Sequence, residues 1–150
     1  MVVFGQGRPP PSADSQVNDR WNRLNFSFHD ALHEQLAEVG MKVVPVFLAV
    51  QSADLAASAE QVRRAAAGAG CSRLLASTVF NDAGKATEEL VFVVSAAPIS
   101  RKDSAAAPRV EAVEYRKEYR FPATTTSFAQ VVPSRIAAQA LRDLPERWKR

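Results

Sequence analysis

The run Leu90-Val91-Phe92-Val93-Val94 constrains this chain more than any other stretch. Side chains along a strand alternate between faces, so a strand built only of large apolar residues needs cover on both. The turn residues Asn81-Asp82-Ala83-Gly84-Lys85 precede the run and Pro98 ends its window. It therefore reads as the central strand of a mixed sheet. Its cover comes from helices of the same chain, one of them starting near Val17, or from a second chain.

The rest of the 150 residues supplies neighbours and helices, and that length suits one domain with its own core. Residues 1–15 hold Gly5, Gly7 and three consecutive prolines, Pro9 to Pro11, and read as a flexible tail ahead of a single domain over 16–150. Val17, Trp21, Leu24, Phe28, Leu32, Leu36 and Val39 then recur at steps of three and four, which is helical spacing stopped by Gly40. Ser27 and Asp30 leave open whether this is one helix or two. Lys42 to Val50 reads as the first strand, placed near a sheet edge by Pro45, which cannot donate to a ladder. An alanine-rich helix over 54–67 ends at Gly68 and Gly70. A second strand spans 72–80 and the apolar run is the third.

Val110 to Phe121 alternates as a fourth strand. Val113, Tyr115, Lys117, Tyr119 and Phe121 share one face, and Glu114, Arg116, Glu118 and Arg120 share the other. A last helix runs from Pro133, suited to a first helical turn, to about Leu144. The expected fold is thus mixed α/β (α+β), in the order α-β-α-β-β-β-α. It has one four-stranded sheet, a parallel first crossover and antiparallel later strands.

Candidate chemistry is sparse. His29 and His33 stand four apart, a spacing that can place two imidazoles on one metal, but no further histidine completes a zinc set. Both sit beside the apolar stripe and read as a solvated helix face. Cys71 is the sole cysteine, so no internal disulfide is possible, and at a strand start it reads as a small core residue. Gly68 and Gly70 end a helix instead of opening one, so they do not cradle phosphate. Ser127 has no histidine near it in sequence to activate it. No cofactor, metal or catalytic set is assigned, and the enzyme question leans to no.

The net charge is +3, with the basic excess near the end of the chain, at Arg135, Arg142, Arg147, Lys149 and Arg150. That is narrower than a nucleic-acid stripe. Tyr115, Lys117, Tyr119 and Phe121 on one face would suit base stacking, but aromatics there are the usual choice for packing under a helix, and that reading is preferred. No run of 18 or more apolar residues exists, so no membrane-spanning helix is expected.

In this order the chain resembles the small α/β domains of bacterial envelope accessory proteins, such as the amino-terminal domain of the Tol–Pal protein TolB and outer-membrane lipoprotein domains. The resemblance lies in Leu36-Ala37-Glu38-Val39-Gly40 directly before a strand, and in Ala67-Gly68-Ala69-Gly70 running into Cys71-Ser72-Arg73-Leu74-Leu75-Ala76. Two long antiparallel strands and the closing helix Ile136 to Leu144 complete it. The lipobox cysteine of a lipoprotein is absent from these residues. The resemblance implies a non-enzymatic, tethered domain, periplasmic or associated with the outer membrane, that binds another protein or self-associates; a cytoplasmic location stays open. The surfaces expected to serve it are the edge strand, with Val43 and Val46, and the charged face at Arg116, Glu118 and Arg120. Two alternatives stand beside it. One is a ligand site or small enzyme pocket at the strand carboxyl ends near Gln51–Asp54 and Asn81–Asp82. The other is single-stranded nucleic acid on an exposed Tyr115–Tyr119 face.

Overall fold

The structure, a computed structural model, describes residues 1–7, 12–49, 55–84, 87–101, 107–124 and 130–149. The elements are β1 (Val2–Gln6), α1 (Ser15–Glu38), β2 (Val44–Leu48), α2 (Leu55–Ala69), β3 (Arg73–Asp82), β4 (Glu89–Ser100), β5 (Arg109–Val110), β6 (Tyr115–Pro122) and α3 (Pro133–Asp143), followed by a 3₁₀ turn at Glu146–Trp148. The mixed α/β class holds. The sheet has six strands, not four, in the order β2-β1-β3-β4, with β5 and β6 both pairing β4.

The largest departure lies at the start of the chain. Residues 2–6 are not part of a tail: β1 runs parallel between β2 and β3, and Val2 and Val3 are completely buried. The parallel part of the sheet is therefore β2-β1-β3. Its two crossovers leave in opposite directions, which puts α1 and α2 on opposite faces.

On one face, α1 and α3 cover Val3, Leu75, Val79, Leu90, Phe92, Val94 and Ala96. Phe28 of α1 meets Phe92 edge-on at 5.0 Å, and Phe92 meets Phe121 of β6 edge-on at 6.0 Å. Burying a side chain such as Phe92 stabilises the fold by roughly 1.5–3 kcal/mol. Trp148 belongs to this core and is buried, so the 3₁₀ turn at Glu146–Trp148 is folded back onto it. On the other face, α2 brings Val62 and Ala66 against Val2, Leu74, Cys71 and Ile99. Cys71 is a buried free thiol, as its place at a strand start suggests.

α1 is one continuous helix. Asp14 caps its start by accepting from the Gln16 backbone N–H at 2.8 Å. It ends where Gly40, at φ 84°, lets the Gly40 and Met41 amides reach back to Ala37 and Leu36. The expected stripe holds in its middle, whereas Val17 and Val39 at its ends are exposed.

β4 lies between β3 and β6, antiparallel to both, as the apolar run requires. Its far-face residues Val91 and Val93 are buried within a single chain. Arg120 stands opposite Val91, and its guanidinium crosses β4 to Asp82 on β3 at 2.9 Å. The aliphatic stem of such a side chain shields apolar surface while its head stays wet. The strand expected over 110–121 is broken into β5 and β6. Glu111 N–H donates to Pro98 C=O and Glu114 N–H to Ala96 C=O, but Pro98 has no N–H to return, so the regular ladder lapses between these two bonds.

Candidate functional site

Among the described residues the sheet ends in β2 at one flank and β6 at the other, since each pairs on one side only. The residues singled out from sequence therefore do not form one site. Val43 and Val46 lie at the β2 flank, with their side chains turned to the two cores, Val43 to the larger and Val46 to the smaller. What β2 offers outward is backbone, with Pro45 exposed at its second residue.

Arg116, Glu118 and Arg120 lie at the other flank and are tied together. Glu118 accepts from Arg116 at 2.7 Å and from Arg120, which also reaches Asp82 and Glu89 at 2.9 and 2.7 Å. Hydrogen bonds from Arg116 and then Arg120 hold the Glu118 carboxyl below its ordinary range. Arg120 is held above the ordinary arginine value by Asp82 first, then Glu89 and Glu118. One guanidinium thus links carboxylates on three neighbouring strands.

The opposite face of β6 meets the helices. Tyr115, Tyr119 and Phe121 pack on the larger core, and the Tyr119 hydroxyl donates to Asp143 Oδ2 of α3 at 2.7 Å. The rings are half-buried under a helix, not spread as an open stacking platform. Beside them a groove of about 420 Å³ opens between β6 and α3, lined chiefly by Tyr119, Phe121, Val131, Val132 and Ile136. Sequence reasoning missed this groove. Its one signal is Val131-Val132, two apolar residues set just before the helix opened by Pro133, of which Val132 stays exposed.

His29 is not on a solvated face. It is 2% exposed, under Gly5 of β1 and 5.6 Å from the Phe47 ring of β2. Burial, then the charge of His33, lower its pKa to about 4, with Asp30 opposing. His33 is only half-buried, and no cluster of three or more metal-ligating side chains occurs among the described residues.

At the strand carboxyl ends, residues 50–54 lie outside the described residues, and Gln51–Asp54 with them. Asn81 donates to Glu88 at 3.1 Å and Asp82 pairs with Arg120, so these two side chains serve the sheet itself. No described helix is long and apolar enough to cross a membrane. Compared with protein-family models and with curated proteins, the chain matches none.

Proposed function

We propose that this chain is a non-enzymatic accessory domain of the bacterial cell envelope that works by binding other proteins. The observation that carries the reading is the pair of open sheet flanks, at β2 and β6, on an otherwise well-buried fold. An unpaired strand presents a row of backbone donors and acceptors, and adding a partner's strand there is a recurring mode of protein recognition. Pro45 limits such pairing at β2 to part of its length. The β6 flank adds ionic groups and the apolar groove beside α3. The envelope assignment rests on the resemblance in element order and in the two helix-to-strand junctions.

Site-specific photo-crosslinking in cells tests this. A photoreactive side chain at Pro45 or Arg116 is expected to trap a discrete protein that fractionates with the envelope. The same group at the exposed Arg23 of α1 is expected to trap none. Adducts confined to soluble proteins, or a small molecule that copurifies while no protein is trapped, would replace the reading with the ligand-binding one.

A further inference from the structure

We infer that the β6 flank is built to pair with the β6 of a second copy of this chain, antiparallel about a two-fold axis through Lys117. The inference rests on the proposed protein-binding role and names the partner at one of the two flanks.

The backbone phase comes first. Ala123 N–H donates to Glu88, opposite which the β4–β6 register places it, so odd-numbered residues of β6 turn their N–H and C=O toward β4. Arg116, Glu118, Arg120 and Pro122 therefore turn theirs outward. Pro122 has no N–H, which ends useful pairing at that end of the strand.

Charge then selects the register. A two-fold axis normal to the sheet keeps each face continuous, so only residues of the same parity come opposite one another. Centring on Glu118 would oppose Glu118 to itself and Arg116 to Arg120, which is repulsive throughout. Centring on Tyr119 would spend an outward hydrogen-bonding position on Pro122 at each end. Centring on Lys117 sets Arg116 opposite the second copy's Glu118 twice over and leaves Pro122 outside. Arg116 is half-exposed and, among the described residues, is held by Glu118 of its own strand alone, so it is placed to reach across. The two Lys117 side chains then face each other, but each has its own Asp143 carboxylate at 3.9 Å.

The helix-side face agrees. The same register places Tyr115 of the second copy opposite Tyr119, which lines the apolar groove. The aromatic row on the helix side of one copy is thus continued by that of the other across the pairing that matches the charges.

The purified chain alone tests this, with no envelope component present. Light scattering at roughly 100 μM, well above the dissociation constant of a micromolar pair, is expected to give twice the 16.3 kDa chain mass. Arg116→Glu or Glu118→Arg should each weaken the dimer by about tenfold or more, and the double swap should restore it. Opposed residues of a non-hydrogen-bonded pair have Cα atoms about 4.5 Å apart, within disulfide range. Lys117→Cys should therefore link to itself under mild oxidation, whereas Glu118→Cys and Tyr119→Cys should not, and buried Cys71 does not compete. A monomer at every concentration, or a dimer linked through a position other than 117, overturns the inference. Neither result touches partner capture at Pro45, which tests the broader role separately.

Discussion

Gly5 of β1 lies directly against the ring of His29 on α1. A Cβ built on Gly5 would fall 2.7 Å from the ring's Cγ and 2.8 Å from its Nδ1. Real side chains do not pack at that distance, so the parallel strand and the first crossover helix sit at a separation only glycine allows. Gly5→Ala should destabilise the fold by about 1–3 kcal/mol, the usual range for forcing an extra methyl into a filled core. The cost should shrink when His29→Ala is present. Denaturant midpoints of the two single variants and the double give the coupling directly, and additive effects would mean the contact does not set the spacing.

The same imidazole makes stability depend on pH. Its folded pKa is lowered from 6.5 to about 4, chiefly because burial disfavours the charged form. Between those values the unfolded chain takes up a proton that the folded chain refuses. Stability from this site is thus complete above about pH 6.5 and lost as pH falls toward 4, by at most roughly 3 kcal/mol. His29→Leu keeps an apolar side chain of similar size and should flatten the profile over that window. Urea midpoints from pH 4 to 8 on both proteins check it: equal slopes would place the titration elsewhere.

Asn25 stands in for a missing strand. β1 pairs with β3 only as far as Ser77, which leaves Val79 without a partner strand on that side. The Asn25 amide fills the gap: it accepts from Val79 N–H at 2.7 Å and donates to Val79 C=O at 3.1 Å. Asn25→Ala leaves both backbone groups buried and unpaired, and should cost roughly 2–4 kcal/mol. The Val79 amide should also lose hydrogen-exchange protection more than its neighbours in β3. Asn25→Asp keeps the acceptor but not the donor, and its buried carboxyl should make the variant less stable as pH rises.

These contacts show where the sequence is readable and where it is not. β4 could be placed between two antiparallel neighbours because an all-apolar strand has few other solutions, and Pro45 marked an edge strand correctly. The ends of α1 and α2 follow from Gly40 and Gly70. β1 is the strand that local pattern hides: it has five residues, a glycine inside, and prolines soon after. The reason for that glycine lies 24 residues away in His29, which is tertiary information. Asn25 and His29 were hidden in the same way, as polar residues on the buried side of a helix whose partners are a strand end and a glycine. At the candidate site, the charge alternation of β6 is local and was visible. The groove beside it needs α3 to fold back over β6, which no window of sequence contains.

The contact that holds α3 there is Tyr119 to Asp143. The Tyr119 hydroxyl and Gln139 Nε2 donate to the two oxygens of Asp143 at 2.7 and 2.8 Å, and Lys117 Nζ lies 3.9 Å away. The Tyr119 bond, followed by the Gln139 bond and the nearby Lys117 and Arg142 charges, outweighs partial burial and holds the Asp143 carboxyl below its ordinary value. A lowered carboxyl contributes stability that is present above the unfolded value near 4 and lost as pH falls through the folded one. Tyr119→Phe removes the largest of these contributions. It should destabilise the protein by about 1–2 kcal/mol at pH 7, toward the low end because Asp143 can take water in exchange. The loss should narrow as pH falls below 4 and through the lowered folded value, where the carboxyl becomes protonated in both proteins. An NMR titration should show the Asp143 pKa rising toward the usual range in Tyr119→Phe, and an unchanged value would mean that the hydroxyl does not anchor the helix.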